Sequence, residues 1–457
     1  MNDVNITANL AIPMSRLDQV VKAYDIRGTT PDQLDEDMCQ AIGAAFARFN
    51  GRSCIIIGRD MRPEGPAFAK AFAAGAMSQG VDVIDIGLAS TDMTYFAAGS
   101  LDMPAAMLTA SHNPAGYNGI KLCGPGALPI GEETGLLEIK DMASAGVSID
   151  GPQGSWSERD LMADFVAHVH SFVDLSTLKP LKIIADTANG MGGLVAPRAF
   201  ADLPFDIEIM YGELDGTFPN HPADPIQPEN LVDLQARVIA TGADVGLAFD
   251  GDADRVFLVD EKGASVSGAL TTALVARGVL AKEGPGPILH NLICSKSVAE
   301  VIIEGGGEPV RTKVGHSFIK ADMARTGAVF GGEHSGHYYF KKNFRADSGL
   351  IAAMVVLEQM CQSRSSLSSL VAPLDRYAAS GEINTKVSDT DVVIERVAAV
   401  YSDQQQDRLD GLTVDCGDWW FNLRASNTEP LLRLNLEAAD SDAVDRHVAE
   451  VRAHFTS

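Results

Sequence analysis

The sequence Leu108-Thr109-Ala110-Ser111-His112-Asn113-Pro114 leads from a short apolar run into a polar loop. The apolar residues Ala105 to Leu108 predict a buried strand. The Gly- and Asn-rich residues after Pro114 predict a loop and not a helix. Because proline also restricts the residue before it, this loop can hold Ser111 in one pose. A hydroxyl beside an imidazole just past a strand end is typical of a nucleophile or a phosphate carrier, although a polar turn without chemistry also explains this stretch alone.

Strand-like and helix-like runs alternate around this stretch. Residues 54–57 and 81–86 predict two strands, and the Ala-rich run 67–77 between them predicts a helix. This βαβ rhythm predicts a parallel or mixed sheet whose loops meet at the carboxyl ends of the strands.

The rest of the chain predicts two similar units and one different unit. Residues 181–186 and 244–249 predict strands and 229–241 a helix, while 328–330 and 348–360 predict a strand and a helix further on. After a Ser-rich, linker-like stretch at 363–369, residues 419–424 and 431–436 predict adjacent antiparallel strands, closed by a helix from Asp440. The sequence therefore predicts three mixed-sheet α/β domains, 1–155, 156–262 and 263–370, and a C-terminal α+β domain, 371–457.

Composition limits the classes of partner. The net charge is −25, from 36 Lys and Arg against 61 Asp and Glu, which disfavours nucleic acid and anionic membranes. A small anionic substrate then requires locally concentrated cations. The N-terminus resembles no secretion signal, the apolar runs are too short to span a bilayer, and the six cysteines form no CxxC pair. We expect a cytoplasmic protein, monomeric or homodimeric.

An acidic loop lies between two apolar runs. Asp250, Asp252 and Asp254 are spaced at i, i+2 and i+4, and carboxylates this close repel one another unless a divalent cation offsets the repulsion. Hard oxygen ligands favour Mg²⁺. Arg255 stands where a calcium-binding EF-hand requires glycine, which excludes that motif. A haloacid-dehalogenase-type phosphatase, which also opens with Asp-x-Asp after a strand, remains an alternative.

Two later loops carry polar groups suited to a sugar phosphate, although a flexible polar loop also explains the first alone and a capped turn the second. In Gly331-Gly332-Glu333-His334-Ser335-Gly336-His337, the Glu, Ser and His side chains can hydrogen-bond sugar hydroxyls, and histidine titrates near neutrality. In Arg424-Ala425-Ser426-Asn427-Thr428-Glu429-Pro430, an arginine fork, two hydroxyls and an amide can cradle a phosphate. Further cations stand beside Gly-rich turns at predicted strand ends: Arg27, Lys121, Arg255, Lys313 and His316.

Together these motifs resemble the α-D-phosphohexomutase superfamily, in particular its phosphomannomutase/phosphoglucomutase branch. The Ser111 loop, the Asp250 to Arg255 loop, Gly-Glu-His-Ser-Gly-His and Arg-Ala-Ser-Asn-Thr-Glu-Pro occur in that order, one in each predicted domain. The opening Lys22-Ala23-Tyr24-Asp25-Ile26-Arg27-Gly28 and Phe218-Pro219-Asn220-His221-Pro222 fit the same branch.

The resemblance implies four domains around a central cleft and a shuttling phosphoryl group. Ser111 would carry that group, and Mg²⁺ would bridge it to Asp250, Asp252 and Asp254. The phosphoserine would convert a hexose 1- or 6-phosphate into hexose 1,6-bisphosphate, which turns around and returns its other phosphate.

The resemblance also implies roles for the remaining candidate residues. Lys121, Arg255 and His337 would act at the reacting centre, with His337 as general acid/base. Substrate would be held by Arg27, His316, Glu333, Ser335, His337, Arg424, Ser426, Asn427 and Thr428.

Two positions depart from the family pattern. His334 stands where bifunctional bacterial members commonly have Met, and Ile293 stands where many relatives place a basic residue, with Lys296 nearby. The sequence favours a phosphomannomutase that also accepts glucose phosphates. A phosphoglucosamine mutase, a Mg²⁺-dependent phosphatase with Asp250 as nucleophile, and a non-catalytic sugar-phosphate binder are the alternatives.

Overall fold

The computed structural model describes residues 10–148, 152–425 and 431–455, without the side chains of 316 and 317. The chain divides into two units, one formed by Met1–Val266 with Ser335–Leu367 and the other by Ser267–His334 with Ser368–Ser457. In the described ranges, no helix has the combined length and apolar character that crossing a membrane requires.

The first sheet is mixed, and the strand before Ser111 lies inside it. Its order is β1-β5-β4-β2-β3-β7, with β6 beside β5, and β5 runs antiparallel to both of its larger neighbours. Its strands are β1 (Ile26–Thr29), β2 (Cys54–Arg59), β3 (Asp82–Leu88), β4 (Ala105–Leu108), β5 (Tyr117–Gly124), β6 (Leu128–Pro129) and β7 (Trp156–Glu158). The helices of this part are α1 (Met14–Val20), α2 (Glu36–Asn50), α3 (Gly65–Ser78), α4 (Thr91–Ser100) and α5 (Leu136–Ala145), with 3₁₀ turns at Pro125–Ala127 and Glu132–Thr134.

Helices α2 and α3 pack at very short range because glycines stand at their crossing. A Cβ added at Gly75 would lie 1.9 Å from the carbonyl oxygen of Gln40, and one added at Gly43 would lie 2.0 Å from that of Phe72. Only glycine fits such an approach of two backbones. The crossing buries Phe46 and Phe72, which are in ring contact.

The second sheet has the order β12-β11-β10-β8-β9 and delivers the acidic loop. Its central strand β10 is parallel to β8 and antiparallel to β11, and all residues of β10 and β11 are buried. The acidic loop connects these two strands. The elements of this part are β8 (Leu181–Asp186), β9 (Phe205–Met210), β10 (Val245–Phe249), β11 (Val256–Asp260), β12 (Ser265–Val266), α6 (Met162–His170), α7 (Gly192–Phe200) and α8 (Val232–Thr241), with 3₁₀ turns at Leu175–Thr177 and Pro228–Leu231.

The next part contains a parallel three-stranded core. Strand β13 pairs in parallel with β14 and with β15. Its elements are α9 (Gly268–Glu283), β13 (Pro287–Asn291), α10 (Lys296–Glu304), β14 (Glu308–Thr312), α11 (His316–Thr326) and β15 (Phe330–Gly332). They are followed by β16 (Tyr338–Phe340), a 3₁₀ turn at Lys341–Asn343, α12 (Gly349–Ser363) and α13 (Leu367–Val371), of which β16 and α12 belong to the first unit.

The C-terminal part is α+β, as the sequence predicted. Its sheet is antiparallel throughout, in the order β17-β21-β20-β19-β18. Helices α14 and α15 bury apolar residues in a separate core with that sheet. The elements are β17 (Ala378–Lys386), α14 (Thr390–Val400), β18 (Gln405–Asp407), β19 (Leu412–Asp415), β20 (Trp420–Ala425), β21 (Leu431–Ala438) and α15 (Ser441–Arg452).

The predicted fold class is confirmed, and two local expectations were wrong. Lys121 was expected beside a turn at a strand end, but it lies within β5, because residues 117–124 pair with β4 and β1. The Ser-rich stretch 363–369 is not simply a linker, since α13 begins at Leu367, whose side chain is buried. The boundaries of the four domains stay a prediction.

In the first unit, Asp92 connects the starts of two helices. Ser90 caps α4 and Ser348 caps α12. Both hydroxyls donate to the Asp92 carboxylate, the one from Ser348 at 2.6 Å. Burial raises the pKa of Asp92 to about 7, and the two hydroxyl hydrogen bonds only partly oppose that rise.

We expect Asp92 to make the metal-free protein less stable as the pH rises from about 4 to about 7. The folded carboxyl holds its proton in this range and the unfolded one does not, so the stabilisation is complete below the unfolded pKa and lost above the folded pKa. Asp92→Asn, which mimics the protonated form, should remove on the order of 2–4 kcal/mol of this pH dependence. Urea unfolding at a series of pH values, with chelator present, measures it; equal slopes for both proteins would contradict the assignment.

Candidate active site

A buried arginine shapes the loop that carries Ser111. Arg62, three residues past the end of β2, is 1% exposed. Its guanidinium donates to main-chain carbonyl oxygens of the loop at 2.7–3.0 Å, and its Nε lies 3.2 Å from Asp60 Oδ2. Asp60 also accepts from the Thr109 hydroxyl at 2.7 Å. The carbonyl groups that face Arg62 belong to Ser111, Asn113, Pro114 and Tyr117.

Ser111 lies in the loop after β4, and its hydroxyl points to the acidic loop. Its φ of 49° lies in the left-handed region, which is uncommon for a residue with a side chain. Its Oγ donates to Asp250 Oδ2 at 2.9 Å and lies 3.1 Å from His112 Nδ1. The positive charge of Arg255, together with burial, lowers the pKa of His112 well below its usual value. The imidazole beside the hydroxyl is therefore neutral.

The loop between β10 and β11 buries three carboxylates at one point. Asp250, Asp252 and Asp254 are all at most 1% exposed, and ligand oxygens from the three lie within 4.8 Å of one another. Asp252 Oδ1 and Asp254 Oδ1 are buried without a hydrogen-bond partner among the described residues. Orphaned carboxylate oxygens are costly unless a cation satisfies them. The donor set therefore fits a divalent metal ion.

Two cations offset part of this negative charge. Lys121 Nζ lies 2.7 Å from Asp252 Oδ2 and 2.7 Å from Asp254 Oδ2, and Arg255 Nε lies 2.9 Å from Asp250 Oδ2. Burial favours a neutral lysine, but the two carboxylates outweigh it and raise the pKa of Lys121. Burial raises the pKa of Asp250 despite Arg255. Burial alone would raise the pKa of Asp252. The positive charge of Lys121 and the hydrogen bonds that the Asp252 carboxylate accepts lower this pKa instead.

The acidic loop and the serine loop touch through a glycine. A Cβ added at Gly251 would lie 2.4 Å from the carbonyl oxygen of Ser111. No other residue could stand there without moving one of the two loops. Behind the loop, a Cβ at Gly190 would lie 2.7 Å from the carbonyl oxygen of Gly251.

The start of α4 also holds the acidic loop, a contact that the sequence analysis missed. The Thr91 main-chain N–H donates to the Asp252 carbonyl oxygen at 3.0 Å, and its hydroxyl donates to Asp252 Oδ2 at 2.6 Å. The available signal was Ser90 as an N-cap before a helical run. That pattern predicts a helix start but not its partner 161 residues away.

His337 joins the same group of side chains. Its Nε2 lies 3.8 Å from Asp254 Oδ1 and 3.9 Å from Asp347 Oδ2, and its Nδ1 lies 3.1 Å from the Ser335 hydroxyl. Asp347 was not a candidate from the sequence. Asp254, His337 and Asp347 form a second group whose spacing could hold a metal ion.

Arg27 approaches the serine loop from β1. Its Nη1 donates to Asn113 Oδ1 at 2.5 Å, and Nη2 is paired with Asp25. Nine of the sequence-derived site residues thus lie together in the first unit: Arg27, Ser111, Lys121, Asp250, Asp252, Asp254, Arg255, Ser335 and His337.

In the second unit, Glu333 follows β15 and is 2% exposed. The main-chain N–H of Gly315 donates to Glu333 Oε1 at 3.1 Å, and Asn291 Nδ2 lies 3.4 Å from the same oxygen. Asn291 Nδ2 also lies 2.9 Å from His334 Nδ1. Asn291 therefore orients both side chains, and nothing in its local sequence indicated this role.

The C-terminal candidates are described only in part. Arg424 lies on β20, where its Nη2 is 2.6 Å from Glu382 Oε2. Lys313 Nζ lies 5.4 Å from the centre of the Phe318 ring. The candidates Ser426, Asn427 and Thr428, and the side chain of His316, lie outside the described residues.

Comparison with known families gives matches along nearly the whole chain. Models of the alpha/beta/alpha domains I, II and III of phosphoglucomutase/phosphomannomutase match residues 18–147, 163–263 and 267–377. The model of the C-terminal domain of the same enzymes matches residues 382–454.

Individual relatives agree with these matches. A Xanthomonas campestris protein named "Phosphohexose mutases" is 42% identical over 93% of this chain and 96% of its own length. An Escherichia coli K12 phosphomannomutase is 38% identical over 91% and 94%, respectively. The crystal structure of a phosphoglucomutase/phosphomannomutase family protein from Burkholderia thailandensis superposes with a TM-score of 0.86 at 32% identity, covering 95% of this chain and 96% of that one.

We expect Arg62→Met to destabilise the protein by about 3–5 kcal/mol, because it leaves the buried Asp60 carboxylate and the loop carbonyl groups without their partner. Arg52→Met is the matched control, since Arg52 is 53% exposed and lies 3.9 Å from Asp102, so its loss should change stability by less than about 1 kcal/mol. Urea unfolding measures both. Equal effects of the two variants would contradict the role given to Arg62.

Proposed function

The chain belongs to the phosphoglucomutase/phosphomannomutase family and is a phosphohexomutase, and we propose that it interconverts mannose 6-phosphate and mannose 1-phosphate, with glucose phosphates as further substrates. The observation that carries the proposal is the buried Ser111 Oγ, 2.9 Å from Asp250 in a pocket of three carboxylates and two cations. Relatives named phosphomannomutase support the choice of mannose.

Ser111 would carry the phosphoryl group between turnovers. In the first half-reaction the bond from phosphorus to Ser111 Oγ breaks, and a bond to the free hydroxyl oxygen of the hexose monophosphate forms. The hydroxyl proton passes to a base. The resulting hexose 1,6-bisphosphate, which also acts as activator, reverses its orientation and returns its other phosphoryl group to Ser111, so atoms and charge balance over the cycle.

His337 is the proposed base and acid. Its Nε2 accepts the hydroxyl proton in one half-reaction and gives it back in the other. Asp254 and Asp347, 3.8 and 3.9 Å from Nε2, would stabilise the imidazolium that forms in between.

The acidic loop would hold Mg²⁺ through Asp250, Asp252 and Asp254. When bound, this ion supplies positive charge against the phosphate oxygens. Lys121 and Arg255 add two fixed charges at the same point, and their present partners are the carboxylates themselves. A phosphorylated Ser111 would give both cations a second anionic partner.

The remaining candidate residues would bind the substrate. Glu333 and Ser335 would bind sugar hydroxyls, and Arg27 and His316 would add charge or hydrogen bonds to the sugar phosphate. Arg424 would leave its ion pair with Glu382 and bind the phosphate that is not transferred. Ser426, Asn427 and Thr428 would bind the same phosphate. The six cysteines are free thiols, which supports work in a reducing compartment such as the cytoplasm.

³¹P NMR with Mg²⁺, a trace of hexose 1,6-bisphosphate and either mannose 1-phosphate or glucose 1-phosphate tests the proposal. We expect the 6-phosphate resonance to grow without inorganic phosphate, faster with the mannose compound. Growth of the inorganic phosphate resonance would instead establish a phosphatase. An unchanged spectrum in both tubes would favour a phosphoglucosamine mutase or a binding protein.

Ser111→Ala should lower turnover by ~10³-fold or more. We also expect intact-mass spectrometry to detect partial phosphorylation in the parent and none in this variant. Ser100→Ala, at the exposed end of α4, is the control and should leave both unchanged. If Ser111→Ala retained activity, another residue would be the nucleophile, and Asp250 would be the first one to test.

Thr91→Val should raise the half-saturating Mg²⁺ concentration by about 10–100-fold, because Thr91 orients Asp252 from behind. Thr91→Ser keeps the hydroxyl and should restore the parent value. Thr94→Val is the control from the same helix, since the Thr94 hydroxyl contacts the Ser90 carbonyl oxygen and Met107 instead. Calorimetric Mg²⁺ binding and the rate at saturating Mg²⁺ separate metal affinity from a general loss of activity, which would contradict this role.

A further inference from the structure

Asn291 and Glu333 stand side by side at the ends of two parallel strands in the second unit. Strand β13 ends at Asn291, and its neighbour β15 ends one residue before Glu333. The register pairs His290 with Gly332, so the residues that follow these two stand at the same edge of the sheet. Ligands of open α/β sheets bind outside the carboxyl ends of the strands. The two side chains therefore lie where a ligand is expected.

The partners of Asn291 fix the orientation of its buried side-chain amide. One side of the amide faces Glu333 Oε1 at 3.4 Å, and this oxygen already accepts from the main-chain N–H of Gly315 at 3.1 Å. An accepting oxygen requires the amide nitrogen, Nδ2, to face it. The other side faces Cys294 Sγ at 3.1 Å. Burial raises the pKa of the Cys294 thiol, so its S–H is present and donates to Asn291 Oδ1.

This orientation of the amide determines the tautomer of His334. Asn291 Nδ2 lies 2.9 Å from His334 Nδ1. Because Nδ2 can only donate, Nδ1 must accept, and an imidazole nitrogen that accepts a hydrogen bond carries no proton. The single N–H of the neutral ring is then at Nε2. Asn291 therefore holds the half-buried His334 as a hydrogen-bond donor at Nε2.

Glu333 and His334 thus offer an acceptor and a donor from consecutive residues. A vicinal diol matches this pair, because one hydroxyl can donate to the Glu333 carboxylate while its neighbour accepts from the His334 Nε2–H. The methionine that bifunctional bacterial members commonly have in place of His334 has only a weakly accepting thioether and no donor. The second of these two hydrogen bonds is therefore a property of this chain.

We propose that His334 is a specificity-determining residue whose Nε2–H donates to one ring hydroxyl of the hexose phosphate, next to the hydroxyl that Glu333 binds. Asn291 is its positioning residue. The inference rests on the proposed function, since it takes a hexose phosphate as the ligand of Glu333. The chain then prefers hexose phosphates that carry this hydroxyl over analogues that lack it. Because the hydrogen bond is remote from the transferred phosphoryl group, it should contribute to substrate affinity and not to kcat.

Long-range ¹H–¹⁵N NMR of the full chain with labelled histidine, at mildly alkaline pH, tests the positioning without any substrate. We expect the histidine resonances that are absent from His334→Met to show a proton on Nε2 and none on Nδ1. Asn291→Ala should give a mixture of the two tautomers. Cys294→Ser, which keeps a donor to Asn291 Oδ1, should keep the parent pattern. A parent with the proton on Nδ1, or an unchanged pattern in Asn291→Ala, would overturn the role of Asn291.

Calorimetric binding of mannose 6-phosphate and its 2-, 3- and 4-deoxy derivatives tests the contact with the sugar, in the Ser111→Ala background to prevent turnover. His334→Met should weaken the binding of mannose 6-phosphate about 3–10-fold, which corresponds to one hydrogen bond. One deoxy derivative should bind more weakly than mannose 6-phosphate when His334 is present and equally well when it is replaced. His447→Met, on α15 and paired with Glu450, is the control and should leave all four affinities unchanged.

The contact and the proposed function can fail separately. If His334→Met changed none of the losses caused by removing a hydroxyl, the contact would be overturned, and a lower kcat at unchanged affinity would overturn it as well. A protein with the expected tautomer and binding pattern that does not interconvert the 1- and 6-phosphates would retain this inference and lose the mutase assignment. A protein that binds none of the hexose phosphates would overturn both.

Discussion

The buried guanidinium of Arg62 is the contact on which the serine loop depends. Four main-chain carbonyl groups between residues 111 and 117 turn inward to it, so the loop satisfies its polar backbone inside the protein. Asp60 compensates the charge of Arg62 and ties in Thr109. Because its carbonyl group is directed at Arg62, Ser111 presents its hydroxyl to the acidic loop. The contact with Arg62 thus fixes the position of this hydroxyl.

Charge balance then decides what this hydroxyl can do. Three buried carboxylates face two cations, Lys121 and Arg255, and two of the carboxylate oxygens have no hydrogen-bond partner among the described residues. Such a pocket repels a phosphate unless a cation is added, and it attracts one when the cation is present. The protein can therefore be strongly acidic overall and still act on an anion.

The sequence predicted those parts of the site that are local in the chain. Ser111 and the three aspartates stand in contiguous motifs that follow apolar strands, so the residues next to them in the sequence indicate the site. Arg62, Thr91 and Asp347 escaped prediction because their roles exist only through partners far along the chain, such as Asp252 for Thr91. Lys121 was found as a cation but misplaced, since the pairing of β5 with two strands overrides the turn-like composition of residues 115–119. The sheets followed from periodicity, whereas the order of their strands depends on contacts that no local pattern contains.

The contact at Gly251 has a consequence for how the protein opens. The serine loop belongs to the first sheet and the acidic loop to the second, yet no side chain separates them. Neither loop can loosen without releasing the other, so the two should behave as one cooperative element with a shared opening free energy. Hydrogen exchange would then show equal protection for amides of both loops, and a protease that cuts one would find the other already exposed.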